Sequence, residues 1–452
     1  MKYILLLIWA GLVPVVVSYL KTQPAKYAKW AAFAMGIIPF ITGTFHLYVA
    51  PIAWPAWPQF PKGMEISALD FLAIAILIGT TSKVKTLRQI WPWLAYFAAV
   101  VIAIPQGEVK MAGFFYAWQI ARVALVCAAA IRIAAYADAP ESMVKGIFAG
   151  LIFQAMFAIS QSASGAAQAS GEFSSPNLLG MMAHFAIFPA FALLLARKDT
   201  GWALAAFIAA VVVDLLTASR ATMGLAAIGL ALLGVVSIMK SSTTWKFGIV
   251  GAGALMVAAV SPFAIGAIQD RQATNNSESS DAQREAMKDA ARMIIADHPF
   301  GVGPDQYVVV SNMGGYSARA GVGWMSATRG TSVHESYLLV WAETGLLGLI
   351  TFLMVLFRPM IGTYRAAFRF RKEFESELLL GFAVATTIVA IHLLYEWLWI
   401  MFLLQYTFAM TTGVAIGIAI RLASRSKAPA VRKEARPAEP RPPLEEPVPS
   451  PN

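Results

Sequence analysis

Apolar and polar positions along this chain are segregated on the scale of whole helices. Apolar runs of the roughly 17–25 residues that cross a bilayer recur from Tyr3 to Ile420. They predict spans at about 3–20, 30–50, 66–81, 90–105, 112–136, 144–162, 178–196, 201–218, 222–239, 247–268, 337–357, 379–398 and 399–420. The first and the last two are the least sharply bounded, so the pattern predicts 12–13 spans. The period-two alternation of a membrane barrel is absent, and the fold class is therefore all-α, a polytopic helical membrane protein. One long polar insertion, residues 269–336, interrupts the apolar pattern. After Arg421 the chain becomes Pro-rich with interleaved basic and acidic residues, the composition of a disordered tail. The expected organisation is a membrane domain over 1–420, the insertion at 269–336 within it, and a tail over 421–452. The first apolar run is followed by lysines rather than by a small-residue cleavage site, and is expected to be retained as a span.

Composition agrees: of 452 residues, 58% are apolar and 13% charged, far from a soluble globular balance. The net charge of +10 reads as topology rather than nucleic-acid binding. Lys21/Lys26/Lys29, Lys83/Lys85/Arg88, Arg197/Lys198, Lys240/Lys246 and Arg358/Arg365/Arg369/Arg371/Lys372 all fall on one side of the alternation, which the positive-inside rule makes the cytoplasm. The insertion is then outside, in a bacterial periplasm. The tail is cytoplasmic, with basic residues that meet anionic membrane lipids. The Pro- and Trp-rich stretch 51–65 lies at the outer interface, where tryptophans form the aromatic belt. The single cysteine, Cys127, excludes a disulfide framework, and His46, His184, His298 and His392 lack ligand-like spacing, so no metal site is predicted.

Candidate chemistry concentrates in the insertion. A helix is predicted from Ser280 or Asp281 to Asp297, stopped by His298-Pro299, with Ala282, Ala286, Met293 and Ile294 as its buried stripe. Arg284, Lys288 and Arg292 fall at i, i+4 and i+8 on one face, either as a solvated row paired with Glu285 and Asp289 or as an anion site. Gly301-Val302-Gly303-Pro304 reads as a tight turn. His334-Glu335 stands immediately before a span, where a histidine is either an interface residue or a proton acceptor. Arg220 sits at the outer end of a span, against the topology rule, where it snorkels or serves function. Arg122 lies mid-span and must face the bundle interior, paired with Asp70 or Asp214 or touching substrate. Lys62 is either a solvated loop lysine, the favoured reading, or a further outer-face cation serving function. Asn177 either caps the helix after Ser175-Pro176 or contacts substrate. Several guanidinium groups at a membrane surface suit a phosphate or diphosphate. With no cluster of carboxylates to hold Mg²⁺, arginines alone would stabilise a diphosphate leaving group. A transporter would place its polar residues near the midplane, whereas these gather at one face.

The segments SSPNLLG, LTASRATMGL and QREAMKDAARMIIADHPFGVGPDQY, followed by HESYLLVWAETGLLGLI, occur in that order across residues 170–350. This ordered set resembles the O-antigen ligase and O-antigen polymerase superfamily of bacterial membrane glycosyltransferases. The resemblance implies a GT-C-like helical bundle with a long extracytoplasmic loop in the inner membrane and an active site facing the periplasm. It implies an undecaprenyl-diphosphate-linked glycan donor and, as acceptor, another carrier-linked glycan, lipid A core or a protein hydroxyl, with no cofactor. It makes His334 the catalytic base and Arg220 and Arg284 the diphosphate ligands; Arg122, Lys288, Arg292, Asn177 and Glu335 remain further candidates for substrate contact. Glu335 departs from the family pattern, in which Asn commonly follows the histidine.

Overall fold

The computed structural model describes residues 2–81, 85–274 and 277–427. Helix dominates it, and every predicted span overlaps a helix, although the helix Pro24–Ile41 ends within the predicted span 30–50, whose last residues include the strand Tyr48–Val49. The first half comprises α1 (Lys2–Thr22), α2 (Pro24–Ile41), α3 (Ala68–Gly79), the short α4 (Thr86–Gln89), α5 (Trp91–Ala103), α6 (Lys110–Ile133), α7 (Ala139–Ala163) and α8 (Pro176–Leu195). It continues through α9 (Thr200–Thr217), α10 (Arg220–Lys240), α11 (Thr244–Thr274) and α12 (Ser277–Asp297). After the short α13 (Tyr307–Met313), α14 (Tyr316–Arg319) and α15 (Ser326–Arg329) come α16 (Ser336–Arg369), α17 (Glu375–His392) and α18 (Phe402–Lys427).

Among the described residues, 10 helices are long and apolar enough to cross a membrane. Of the remaining predicted spans, α3 has 12 residues and α5 13, and α2 carries Lys26 and Lys29 within its 18. Helix α18 runs on to Lys427, past the predicted boundary at Arg421; the rest of the predicted tail lies outside the described residues. A two-stranded antiparallel sheet pairs Tyr48 with Ser67 and Val49 with Ile66, closing the Pro- and Trp-rich stretch into a hairpin-like cover.

Helix α8 is apolar all round, and Leu178 through Leu195 are buried, as expected for a helix enclosed by others. Beside it α17 is nearly as enclosed, so these two form the centre of the bundle. Apolar chains give little drive for association within lipid, and close approach of small residues takes its place. Gly36 and Gly146 show this reciprocally: a Cβ on Gly36 would stand 2.1 Å from the Met143 carbonyl oxygen, and one on Gly146 2.1 Å from that of Phe33. At the end of the bundle away from the insertion, loop charges are paired. Lys240 and Lys246 each reach Glu377 at 2.7 Å, Lys145 reaches Asp199 at 3.0 Å and Arg421 reaches Glu375 at 3.3 Å.

The insertion is bolted onto the bundle through one break in a helix. Gly345, at φ +66°, interrupts α16, in a backbone region open to glycine. The carbonyls of Ala342 and Glu343 are turned to the insertion, where they accept from the Val302 and Gly303 amides at 2.9 Å each. The buried Glu343 carboxylate accepts from the Asp305 and Tyr307 amides (3.0 and 3.1 Å) and from Gln59 Nε2. Gln59 Oε1 in turn accepts from the Val308 amide at 2.9 Å, tying the Pro- and Trp-rich stretch to the same joint.

Beside this joint, Asp305 is 1% exposed, at φ +61°. Burial, and then the Glu343 carboxylate, push its pKa well above the ordinary carboxylate range. A carboxyl whose folded pKa is raised contributes stability that is present below the unfolded value, about 3.9, and lost as pH rises toward the raised one. Asp305→Asn, uncharged and tolerant of this backbone region, is therefore expected to be more stable than the parent at neutral pH. The gap should widen with pH by up to about 1.4 kcal/mol per unit, read as thermal unfolding in detergent across pH 4 to 8. A gap that narrows with rising pH contradicts this reading.

Candidate active site

The α12 helix begins at Ser277, earlier than predicted, and ends as predicted before His298-Pro299. Its buried residues are Met287, Ala290, Ala291 and Ile294, with Ala286 and Met293 packed at their edge. Ala282, predicted to be buried, is exposed: the buried stripe starts at Met287. Packing this stripe against α16 points Arg284 and Lys288 along the bundle surface and leaves Arg292 outside. The predicted row of three cations is thus divided. Arg284 reaches Glu396 at 3.6 Å, Lys288 lies between Glu285 at 3.5 Å and Glu335 at 3.9 Å, and Arg292 turns back to Glu285 and Asp289 at 3.0 and 2.6 Å.

Glu396 is the residue on which the site converges and the one that sequence reasoning missed. It was placed inside a predicted span at 379–398, but α17 stops at His392 and the chain continues as an irregular segment to Met401. Glu396 thus adds one carboxylate to this face that the sequence pattern had assigned to a span. A carboxylate in the middle of a Trp-rich apolar run was the available signal, since such a charge demands a partner.

The segment is pinned by Ser336, the first residue of α16, whose Oγ donates to the Glu396 carbonyl at 2.6 Å and whose amide donates to the Leu393 carbonyl at 2.9 Å. Trp399, fully buried against Trp93 and Phe352, anchors its far end. So held, the Glu396 side chain is 3% exposed. Asn177 Nδ2 donates to its Oε1 at 2.6 Å, and His334 Nδ1 stands 3.4 Å from its Oε2. Asn177 is not the cap of α8; that role belongs to Ser175, whose side chain accepts from the Leu178 amide at 3.2 Å, which leaves the asparagine free to reach Glu396.

Beside this cluster opens a cleft of about 390 Å³. Its polar end is formed by Asn177, Arg220, Asp281, Arg284 and Glu396, and its apolar wall by Ala221, Gly224, Leu225 and Ile228 of α10. These four recur at helical spacing, so the cleft descends along one stripe of α10. A Cβ on Gly224 would meet nothing within 4 Å. Arg220 starts α10 and faces Asp281 at 3.4 Å with about half of its side chain exposed. Glu335, at the N-terminus of α16, has its pKa raised by burial, with Lys288 acting in the opposite sense.

Other predicted candidates lie elsewhere. Arg122 pairs with Asp70 at 2.9 Å and bonds the Tyr406 hydroxyl, a buried network within the bundle. Asp214, the other predicted partner, has no such pairing and is buried on α9. Lys62 lies over the Phe60 ring at 5.3 Å, away from the cleft.

These features define a multi-pass helical membrane protein with a cationic cleft, backed by a histidine and a carboxylate, at the end of the bundle that bears its one long insertion. Residues 184–353 match the family model described as O-Antigen ligase. Over this segment, rather more than a third of the chain, the protein is similar to the O-antigen ligase family, which supports glycosyl transfer of the ligase or polymerase kind in general. The matched segment holds Arg220, Arg284 and His334 but ends before Glu396 and begins after Asn177. No curated protein matches the chain.

Proposed function

We propose that this protein transfers a glycan from an undecaprenyl-diphosphate carrier to an acceptor hydroxyl at the outer face of the bacterial inner membrane, as an O-antigen ligase does. The observation that carries this reading is the convergence of Arg220, Arg284, Asn177 and His334 around Glu396 at the mouth of a cleft whose other wall is apolar. An isoprenoid diphosphate is an amphiphile of that shape, with its anionic head at the arginines and its chain along the α10 stripe. Among the described residues each arginine has a single carboxylate partner, at 3.4 and 3.6 Å. A diphosphate offers more anionic oxygens and forked geometry, so it competes for both guanidinium groups.

In the reaction, the acceptor hydroxyl attacks the anomeric carbon and the diphosphate leaves with the bonding electron pair. His334 takes the hydroxyl proton. Glu396, with Oε2 facing Nδ1, favours the tautomer that leaves Nε2 free to accept it and stabilises the imidazolium that results. Glu396 itself is poorly placed to attack the sugar, since Asn177 and Arg284 engage its other oxygen, so direct displacement without a covalent enzyme intermediate is favoured. The two arginines supply the positive charge that a divalent metal provides elsewhere, and the proposed reaction needs no metal.

Deletion of the gene followed by analysis of surface glycans tests this function. Full-length glycan accumulating on the carrier supports the ligase. Single carrier-linked repeat units identify a polymerase instead, and an unchanged surface glycan overturns transfer altogether.

A further inference from the structure

At the opposite end of the bundle a second groove, about 890 Å³ in volume, runs between α16 and α18. Its size is within the roughly 300–1,000 Å³ of small-molecule sites. Met354, Phe357 and Ile361 form one wall, and Ala415, Ala419 and Ala423 form the other. The alanines recur every four residues, so this wall is a smooth strip along one face of α18. Arg358, Arg365 and Arg369 also line the groove. Their spacing of i, i+7 and i+11 puts them on a single stripe of α16.

Beyond the break at Gly345 the helix continues over residues 346–369, about 36 Å at about 1.5 Å per residue. Arg358, Arg365 and Arg369 lie in its half farther from the insertion, on the side where basic loop residues gather, with Met354 and Phe357 just inside them.

Lys145, Lys240, Lys246 and Arg421 at the same end are all paired. Among the described residues no Asp or Glu forms an ion pair with Arg358, Arg365 or Arg369. Arg358 lies over the Trp91 ring at 5.2 Å, an interfacial pairing that holds the guanidinium at the groove. Three guanidinium groups above an apolar strip, without an acidic partner among the described residues and with only Arg358 donating to a carbonyl, that of Gln89 at 3.4 Å, suit an amphiphile with an anionic head.

We propose that the α16–α18 groove is a binding site for an anionic phospholipid of the leaflet opposite the candidate active site. The headgroup phosphate accepts forked hydrogen bonds from the arginines, and an acyl chain lies between the alanine strip of α18 and the apolar wall of α16. Basic pockets between helices at the positive side of a membrane recognise such lipids. The site is separate from the transfer chemistry and does not rest on it.

The test uses the purified full-length protein, given equal amounts of dioleoyl phosphatidylglycerol and dioleoyl phosphatidylcholine, with bound lipid counted by native mass spectrometry. Phosphatidylglycerol should be retained preferentially. The triple variant R358Q/R365Q/R369Q should lose this preference, by about fivefold for each arginine removed. Gly362→Leu supplies the second arm. Gly362 lines the groove, and a Cβ there meets nothing within 4 Å, so leucine obstructs the lipid while leaving every charge and the helix in place. It should lower phosphatidylglycerol retention as well. Glycerol 1-phosphate, the soluble headgroup, should fail to displace the lipid. Unfolding temperature and elution volume of each variant report its fold. Equal retention of the two lipids by the parent protein overturns the proposal. So does unaltered retention by a folded triple variant or by folded Gly362→Leu, the latter showing charge attraction without a groove. Displacement by glycerol 1-phosphate would make it a site for free anions and overturn the lipid assignment.

Discussion

Replacing His334 by alanine is expected to lower glycan transfer by about 10²- to 10⁴-fold, the usual contribution of a general base, with donor binding retained. The split follows from the geometry. His334 stands behind Glu396, while the anion-facing end of the cleft is made by Arg220, Arg284 and Asn177, so removing the imidazole leaves the diphosphate contacts standing. Glu396→Gln separates orientation from proton transfer. It keeps an acceptor for Asn177 but withdraws the charge beside Nδ1, so the rate should fall by less than in His334→Ala. Purified proteins turning over a carrier-linked donor give both readings. Parent-like turnover by His334→Ala removes the histidine from the mechanism, and loss of parent turnover in EDTA contradicts a metal-free reaction.

The second large effect is expected at the arginines. Hydrogen bonds to charged groups contribute about 1.5–3 kcal/mol each, so Arg220→Ala and Arg284→Ala should each lower kcat/KM by about 10- to 150-fold. Lysine should restore only part of it, because a point charge does not reproduce a planar fork. Arg292→Ala serves as the comparison: its guanidinium is exposed and paired with Glu285 and Asp289, and such pairs contribute little. Gly224→Leu reports on the other half of the donor. It fills open space on the apolar wall of the cleft and should raise the KM for donors with long isoprenoid chains more than for short-chain analogues. Losses at Arg292 equal to those at Arg284 would mean that cationic charge near the membrane, rather than a defined site, is what the substrate needs.

Local signals served well wherever a residue's role follows from its chain neighbours. Runs of apolar residues placed the helices, since satisfying backbone groups within lipid leaves a helix little alternative. His298-Pro299 stopped α12 as expected, and His334-Glu335 immediately preceded a span. The order of motifs brought Arg220, Arg284 and His334 to attention although more than 100 positions separate the first from the last. Local reasoning failed where partners are distant in the chain. Glu396 looked like the end of a span because hydropathy averages over a window and one charge among tryptophans and leucines scarcely moves the mean; only its meeting with Asn177, Arg284 and His334 reveals it. Arg122 had two plausible acidic partners by sequence, and helix packing chose Asp70.

The sequence by itself determined the class of fold, the helical positions and the family resemblance, because these depend on segment hydrophobicity and on motif order. The tertiary structure alone decided which cations share a site. Arg284, Lys288 and Arg292 are equivalent by helical spacing, yet burial of Met287, Ala290, Ala291 and Ile294 fixes the rotation of α12 and sends Arg284 to Glu396 while Lys288 and Arg292 share Glu285. The break at Gly345 likewise has no meaning until the Val302 and Gly303 amides arrive to use the carbonyls it frees. Helical period gives neighbours along one element, and contacts between elements depend on the rotation and depth at which their apolar faces pack.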